Sequence, residues 1–176
     1  MDKHNVLGFI DSKHKFLQKT LPDLHEKYKF VVDIGLPLML VNKLLSEQKE
    51  KVFTNKYNIT PSEFDVLMSL LCIDKPLSPT LLYENMIFSS GGMTKLLKKL
   101  EKKNLIIRVP SQKDKRSMLV ALSDEGKRFV LSAFEDIANV TLEAIEFINE
   151  EEKIIFAKIL QIAMIKLYLI NTWIIY

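Results

Sequence analysis

The residues of this sequence that are best suited to chemistry are cations, and they are concentrated in one segment. Between Ser89 and Arg116 the chain carries nine basic residues and only two acidic ones, Glu101 and Asp114, so the segment has a formal charge of +7. The whole chain carries +3, which leaves −4 for everything else. A mildly acidic body with one strongly basic element is suited to contact a polyanion, above all the phosphates of nucleic acid.

A helical wheel separates the two sides of this basic segment. Three leucines fall near Met93 on the wheel and form a stripe that would be buried: Leu96, Leu97 and Leu100. The opposite side holds Gly91, Thr94, Lys95, Lys98, Lys99 and Lys102. Lysines on a helix are often only a solvated face, but the alignment of these cations and the basic hairpin that follows them favour contact with DNA.

A helix that enters the major groove contacts base edges with its N-terminal residues, where small or short polar side chains allow close approach. The residues that meet this need are Ser89, Ser90, Gly91 and Thr94. The lysines further along the helix are placed to reach phosphates.

Two aliphatic runs, NLIIRVP and SMLVALS, flank the charged connection SQKDKR and predict a β-hairpin. Its tip would present Lys113, Lys115 and Arg116, and an arginine is suited to a narrow A·T-rich minor groove. Phosphate would repel Asp114, so we expect that residue either to hold Arg108 or Arg116, or to cap the turn through its side chain. A generic aspartate turn is the simpler alternative.

The elements that must position these residues can be recognised by their caps. Thr60 with Glu63 forms the pattern of a capping box, and Ser78 precedes a helix of barely two turns. Ser89 is the expected cap of the basic helix. Three short helices with tight connections, the last one basic, predict a helix-turn-helix unit.

Further helices are predicted on both sides of this unit. Apolar residues at helical spacing fill residues 3–30, where Pro22 divides them, and a long helix follows with Pro37 in its first turn. Ser123 begins another long helix, and Asn149 with Glu152 forms a capping box for the last one.

Composition limits the class of protein. Hydrophobic residues make up 48% of the 176 residues, enough for a core, and five glycines and six prolines favour helices over turn-rich β structure. The single cysteine and the lack of an apolar leader predict a cytoplasmic protein. The sequence contains no phosphate-binding glycine loop, no H-E-x-x-H and no G-x-S-x-G, so we expect neither an enzyme nor a cofactor.

The last 23 residues are very apolar. Lys158 and Lys166 interrupt them, and each would cost about 2.5 to 3.5 kcal/mol at the centre of a membrane-spanning helix. We therefore expect a buried or dimer-interface helix and no membrane contact, with a membrane role as the alternative.

Three stretches together resemble the MarR family of bacterial winged-helix transcription regulators: ITPSEFDVL, SSGGMTKLLKKLEKKNLIIRVP and KDKRSMLVALSDEGK. The resemblance covers roughly residues 59–127. Its most specific motifs are D-x-R in the wing (Asp114 and Arg116), L-I-x-R before it and L-S-x-E-G after it. One departure is Asn104, where the family usually has glycine.

The resemblance implies a homodimer in which N- and C-terminal helices interdigitate, so that two winged lobes bind one pseudo-palindromic operator. It also implies repression and, in many members, release of DNA when a small phenolic or lipophilic compound binds between the lobes. The same resemblance places Arg116 at the position of the minor-groove arginine, and it implies recognition-helix positions at Ser89, Ser90, Gly91, Thr94, Lys95 and Lys98. Adaptable apolar residues that could line a ligand pocket, or equally belong to the core, are Met39, Phe64, Met68 and Phe129.

The sequence gives less support to redox sensing by a cysteine or to metal binding by histidines. Cys72 ends an apolar helix without a basic neighbour, so a buried structural cysteine is favoured over a redox sensor. The three histidines, His4, His14 and His25, lack the spacing of a metal site and are expected to be solvated.

The sequence therefore predicts a mostly α fold with a small β-hairpin. A winged helix-turn-helix lobe would occupy residues 59–122, with its recognition helix at about 89–103 and its wing at 109–117. Residues 1–58 and 123–176 would form a helical dimerisation body. The predicted function is sequence-specific DNA binding by a transcription regulator, and the alternative is a winged-helix module that binds DNA without sequence choice or docks an acidic protein.

Overall fold

Helices account for most of this fold and one β-hairpin completes it, which confirms the predicted mostly α class. The computed structural model describes residues 5–86, 92–112, 114 and 116–173. In chain order the elements are α1 (Asn5–Thr20), α2 (Pro22–Phe30), α3 (Leu36–Lys51), α4 (Pro61–Ile73), α5 (Pro79–Glu84), α6 (Met93–Lys102), β1 (Ile106–Pro110), β2 (Met118–Leu122), α7 (Asp124–Ala144) and α8 (Glu150–Trp173).

The first three helices follow one another with little intervening loop. Pro22 separates α1 from α2, as predicted, because its ring disfavours continuation of the preceding helix. A π-helical turn over Val31–Gly35 connects α2 to α3, and a second one, Val52–Tyr57, follows α3. α3 itself begins at Leu36, with Pro37 in its first turn as predicted.

Hydrogen-bonded caps fix where several helices begin. The Glu63 backbone N–H donates to the Thr60 hydroxyl at 3.2 Å, and the Thr60 N–H donates to the Glu63 carboxylate at 2.9 Å. This reciprocal pair is the predicted capping box. Ser78 caps α5 by accepting the Leu81 N–H at 3.2 Å, and Ser123 caps α7.

The predicted start of α6 is wrong. Ser89 was the expected cap, but the helix begins at Met93 and its N-cap is Gly92. Gly92 has φ of 122°, a conformation that residues with a side chain rarely adopt and that no α-helix contains. The helix therefore does not extend back through this residue. Ser89, Ser90 and Gly91 lie outside the described residues.

One buried cluster joins α4, α5, α6, the hairpin and the start of α7. The Leu77 backbone pairs with that of Val120, which lays the linker before α5 beside β2. α6 and the hairpin are thus held on a common core. Its fully buried apolar side chains are Val66, Leu67, Leu82, Leu97, Leu100, Ile106, Val120 and Val130.

The predicted hairpin is present as an antiparallel pair that sets Arg108 opposite Val120. At its base, α7 approaches the chain before β1 so closely that a Cβ on Gly126 would lie 1.9 Å from the Leu105 carbonyl oxygen. Asn104 adopts a left-handed φ of 58°, a conformation that asparagine tolerates better than most other residues with a side chain.

α7 connects the lobe to the N-terminal helices by packing against α3 and α4. The Tyr57 hydroxyl donates to Asp136 on α7, and Lys56 forms an ion pair with the same carboxylate. Hydrogen bonds from Lys56 and Tyr57 hold the pKa of Asp136 below its usual value. Asn149 and Glu152 form the predicted capping box at the start of α8.

α8 has no buried side chain between residues 150 and 169. No helix in the described part of the chain is long and apolar enough to cross a membrane. The large apolar side chains that α8 exposes are Ile154, Ile155, Phe156, Ile159, Leu160, Ile162, Met164, Ile165, Leu167, Tyr168 and Leu169.

Candidate nucleic-acid interface

α6 presents one apolar and one cationic side, as its sequence predicts. Leu97 and Leu100 are buried in the core of the lobe. The opposite side exposes one threonine near the helix start and a row of three lysines that form no ion pair within the described residues: Thr94, Lys95, Lys98 and Lys102. This row can contact a polyanion without giving up an ion pair to any residue that the structure describes.

The fourth lysine of the predicted set has an internal partner. The Lys99 ammonium lies 2.8 Å from a carboxylate oxygen of Glu63, at the N-terminus of α4. Lys103, just after α6, lies 3.4 Å from the other oxygen and also donates to the Asn58 carbonyl. Glu63 is only 2% exposed and therefore joins α4 to α6 from inside the lobe.

The charge state of Glu63 follows from these contacts. Burial raises the pKa of its carboxyl group, because a buried charge loses solvation. Hydrogen bonds from Lys99 and from the Thr60 backbone, together with the charge of Lys103, outweigh that effect, so the pKa lies below its usual value. Glu63 is accordingly an anion at neutral pH.

Sequence reasoning missed this second role of Glu63. The capping-box pattern identified it as a helix cap, and that pattern is local. Its lysine partners are 36 and 40 residues further along the chain, and no local spacing marks them. Tertiary packing of α6 on α4 brings the three side chains together.

Asp114 organises the tip of the hairpin from within. Its carboxylate accepts the Arg116 backbone N–H at 3.0 Å, and its carbonyl oxygen accepts the Ser117 hydroxyl at 2.9 Å. Of the roles left open for Asp114, the structure therefore contains the turn cap. Arg108 pairs instead with Glu101, at 3.8 Å.

The cations of the wing are only partly described. Arg116 is exposed at the tip and forms no ion pair with any described residue. Lys113 and Lys115 lie outside the described residues. The exposed guanidinium is available for contact with a ligand beside the lobe.

A cavity of about 690 Å³ lies between α4 and α7. Phe64 and Met68 line it, whereas the other two predicted ligand residues do not. Met39 is 70% exposed on α3, and Phe129 packs against Tyr57 in an edge-to-face contact with centroids 5.4 Å apart. The wall is mostly apolar and suits an apolar guest.

Cys72 also lines this cavity and is exposed, so the prediction of a buried cysteine is wrong. The buried residues of α4 include Val66, Leu67 and Leu70. Cys72 follows Leu70 by two positions, about 200° around the helix, and therefore faces away from the core.

The prediction of solvated histidines is wrong for His25. Pro22 folds α2 back against α1, so that His25 is only 7% exposed. Its Nε2 lies 3.2 Å from Nδ1 of His14, and Nε2 of His14 lies 2.8 Å from an Asp33 oxygen. His4 lies outside the described residues, within which no group of three or more metal-ligating side chains occurs.

Comparison with known sequences gives three relevant matches. Residues 48–131 match the family described as Transcriptional regulator SarA/Rot. The regulator SarZ of Staphylococcus epidermidis is 32% identical over 99 residues, which cover 56% of this chain and 66% of SarZ. The regulator PecS of Dickeya dadantii is 28% identical over 134 residues, which cover 75% of this chain and 78% of PecS.

Solved structures share the fold. A MarR family protein of Bacillus stearothermophilus superposes with a TM-score of 0.67 at 22% identity, over 80% of this chain and 96% of that one. A mutant of MarR from E. coli, complexed with operator DNA, superposes with a TM-score of 0.62 at 21% identity, over 77% and 96%. The relatives named here are transcription regulators and not enzymes. The SarA/Rot match and the SarZ and PecS relatives show that the chain is similar to transcription regulators, and the solved structures show that it has the winged-helix fold of MarR proteins.

Proposed function

We propose that the protein is a sequence-specific DNA-binding repressor. The observation that carries this proposal is the exposed row of Lys95, Lys98 and Lys102, with Thr94 nearer the helix start, opposite the buried side of α6. In the proposed complex α6 enters the major groove. Thr94 contacts base edges and the lysines contact phosphates. The operator-bound MarR mutant with the same fold supports DNA as the ligand.

The hairpin would bind beside the recognition helix. Arg116 is exposed at its tip, where the Asp114 turn holds the backbone. A guanidinium at this position can enter a narrow minor groove, whose negative potential is strongest at A·T-rich sequence. Lys113 and Lys115 are proposed to contact the flanking phosphates.

The active form is proposed to be a homodimer. α8 exposes large apolar side chains along its length, and α1 to α3 expose further ones, including Phe16, Phe30 and Ile34. An exposed apolar surface of this size is typical of one that another subunit covers. Two-fold symmetry would then present two recognition helices to two half-sites of a pseudo-palindrome.

A small apolar compound is proposed to relieve repression. The cavity between α4 and α7 is large enough for a drug-sized molecule and is lined by Phe64, Met68 and Phe134. α4 carries both this wall and the Glu63 contact with α6. An occupant that shifts α4 would therefore also shift the recognition helix.

Selection of genomic DNA fragments by the purified protein tests the proposed function. Binding at about 150 mM salt followed by sequencing should enrich an inverted repeat whose half-site centres lie about one helical turn apart. Uniform retention of all fragments would instead support the module that binds DNA without sequence choice. No retention at all would contradict DNA binding and favour an acidic protein partner.

A further inference from the structure

Glu63 lies in the first turn of α4, and its carboxylate faces α6, the helix that carries the proposed DNA-contact residues. Its carboxylate lies 2.8 Å from the ammonium of Lys99, in the last turn of α6, and 3.4 Å from that of Lys103, just after the helix. The carboxylate is buried, whereas Lys99 remains 53% exposed at the edge of the DNA-facing surface. One anion thus holds two cations beside the interface, of which Lys103 also donates to the Asn58 carbonyl oxygen.

We propose that Glu63 is a specificity determinant, which fixes the orientation of α6 on α4 and withholds Lys99 and Lys103 from phosphate. This inference rests on the proposed DNA-binding function. It assigns Glu63 as a positioning residue, since it acts through α6 and the two lysines and not by contact with DNA.

Two physical effects make such an arrangement favour specific binding. Base-edge contacts depend on the orientation of the recognition helix, because each hydrogen bond requires its partner within a few tenths of an ångström. Phosphate contacts lack that requirement and strengthen binding to every sequence. A buried anion that orients the helix and neutralises two of its cations therefore raises specific binding relative to non-specific binding.

The direct test is Glu63→Gln in the full chain. Glutamine can still complete the capping box with Thr60, so the substitution removes the charge and keeps the cap. We expect non-specific affinity to rise and the slope of log K against log salt to steepen by about 1, as the freed Lys99 reaches phosphate. The ratio of specific to non-specific affinity should fall about tenfold or more. An unchanged slope and ratio would overturn the proposal.

Glu84→Gln is the matched control. Glu84 is exposed on α5 of the same lobe and forms no ion pair within the described residues. Its substitution removes the same charge from the lobe but frees no lysine, so the specificity ratio should stay near that of the wild type. Equal changes in the two variants would show a general charge effect and would overturn the assignment of Glu63.

A pair of neighbouring lysines supplies a second test that leaves Glu63 in place. Lys98→Gln removes a phosphate contact and should reduce the salt slope by about 1. Lys99→Gln removes an internal contact, so it should leave the slope unchanged and lower specific affinity. A slope that falls equally in both variants would show that Lys99 contacts phosphate and would overturn the proposal.

Amide hydrogen exchange separates this inference from the DNA-binding proposal, because it needs no DNA. Exchange across α6 should accelerate in Glu63→Gln and not in Glu84→Gln. If the wild type selects no DNA sequence but α6 exchange accelerates in this way, the positioning role stands and the proposed function fails. If the wild type binds an operator and α6 exchange is the same in all three proteins, the positioning role fails and the proposed function stands.

Discussion

Neighbouring lysines on α6 differ in their partners. We therefore expect substitutions of these lysines to have different effects on DNA binding. Lys98 forms no ion pair within the described residues, whereas Lys99 binds Glu63. Thr94 is exposed near the helix start, where base edges are contacted. We therefore expect the side chains of this helix to divide into those that bind DNA through charge and those that discriminate between sequences, whereas Lys99 binds Glu63 within the protein.

Substitution of Lys98 and of Thr94 should therefore give two different results. Lys98→Gln should weaken binding to all sequences by a similar factor, because phosphates are present at every site. Thr94→Ser or Thr94→Val should change which sequence is preferred, with a cost of about 1 to 3 kcal/mol at the affected base pair. Affinities for a panel of single-base operator variants test both. Indistinguishable profiles for the two kinds of variant would contradict the division.

Acid should weaken the lobe through Glu63. Its pKa is lower in the folded state than the ordinary value of 4.5, so the ionised form stabilises the fold. That stabilisation is fully present above the unfolded pKa and is lost as the pH falls through the folded pKa. The free energy of unfolding of the wild type should therefore exceed that of Glu63→Gln most at neutral pH. A difference between the two proteins that did not shrink below pH 4.5 would contradict the contribution of the carboxylate.

Among the elements, the junction between α7 and the hairpin is the most sharply constrained. A Cβ on Gly126 would lie 1.9 Å from the Leu105 backbone oxygen, too close for any rotation of a side chain to relieve. Gly126→Ala should displace α7 from the lobe and destabilise the protein by about 1 to 3 kcal/mol, as overpacked sites do. Denaturant unfolding measures this cost.

Gly35 supplies the control for that experiment. It has helical φ and ψ, and an added Cβ would meet Val31 at 3.9 Å, which is ordinary contact. Gly35→Ala should be neutral or should stabilise by about 0.4 to 1 kcal/mol, because alanine lowers the entropy of the unfolded chain. Equal destabilisation by the two substitutions would show that close packing on Leu105 is not the cause.

Local sequence signals predicted the elements well where the relevant contacts are local. The caps at Thr60, Ser78 and Ser123 each depend on residues within three positions, and all three are present. The start of α6 was wrong because Gly92 departs from helical φ, and a glycine within an otherwise helical pattern does not reveal this. The Lys99 contact with Glu63 could not be predicted, because it depends on how α6 packs on α4.

Errors about burial had the same origin. The sequence around Cys72 is apolar, but the residue faces a cavity between α4 and α7, and the width of that space depends on packing between distant helices. His14 and His25 are polar, but the reversal of the chain at Pro22 brings them together. The pattern of hydrophobic residues along the chain predicts that a helix has a buried side. It does not predict the burial or the contacts of residues at the edge of that side.

At the scale of the whole molecule, α8 exposes large apolar side chains that no other part of the described chain buries. α8 carries isoleucine, leucine, phenylalanine and tyrosine side chains on all sides, and none is buried between residues 150 and 169. Ile155 and Ile162 lie two turns apart on one side of the helix and are both about half-exposed. A second subunit is the proposed cover.

Introduction of charge on α8 should separate the subunits. The wild type should sediment with twice the 20.4 kDa mass of one chain. A variant that combines Ile155→Asp with Ile162→Asp should sediment with a mass closer to that of a single chain. The control is Glu151→Gln, at an exposed position in the first turn of α8, which should leave the dimer intact. A monomeric wild type at micromolar concentration would contradict the proposed assembly.

The most direct test of sequence-specific binding by a dimer is the affinity for one operator compared with the same DNA after one half-site is scrambled. Both duplexes have the same length and charge, so at about 150 mM salt they offer equal phosphate contacts. We predict that the intact inverted repeat binds about 10³-fold or more tightly than a fully scrambled duplex, with the half-scrambled duplex between them. Equal affinity for all three duplexes would contradict the account, because charge alone would then explain binding.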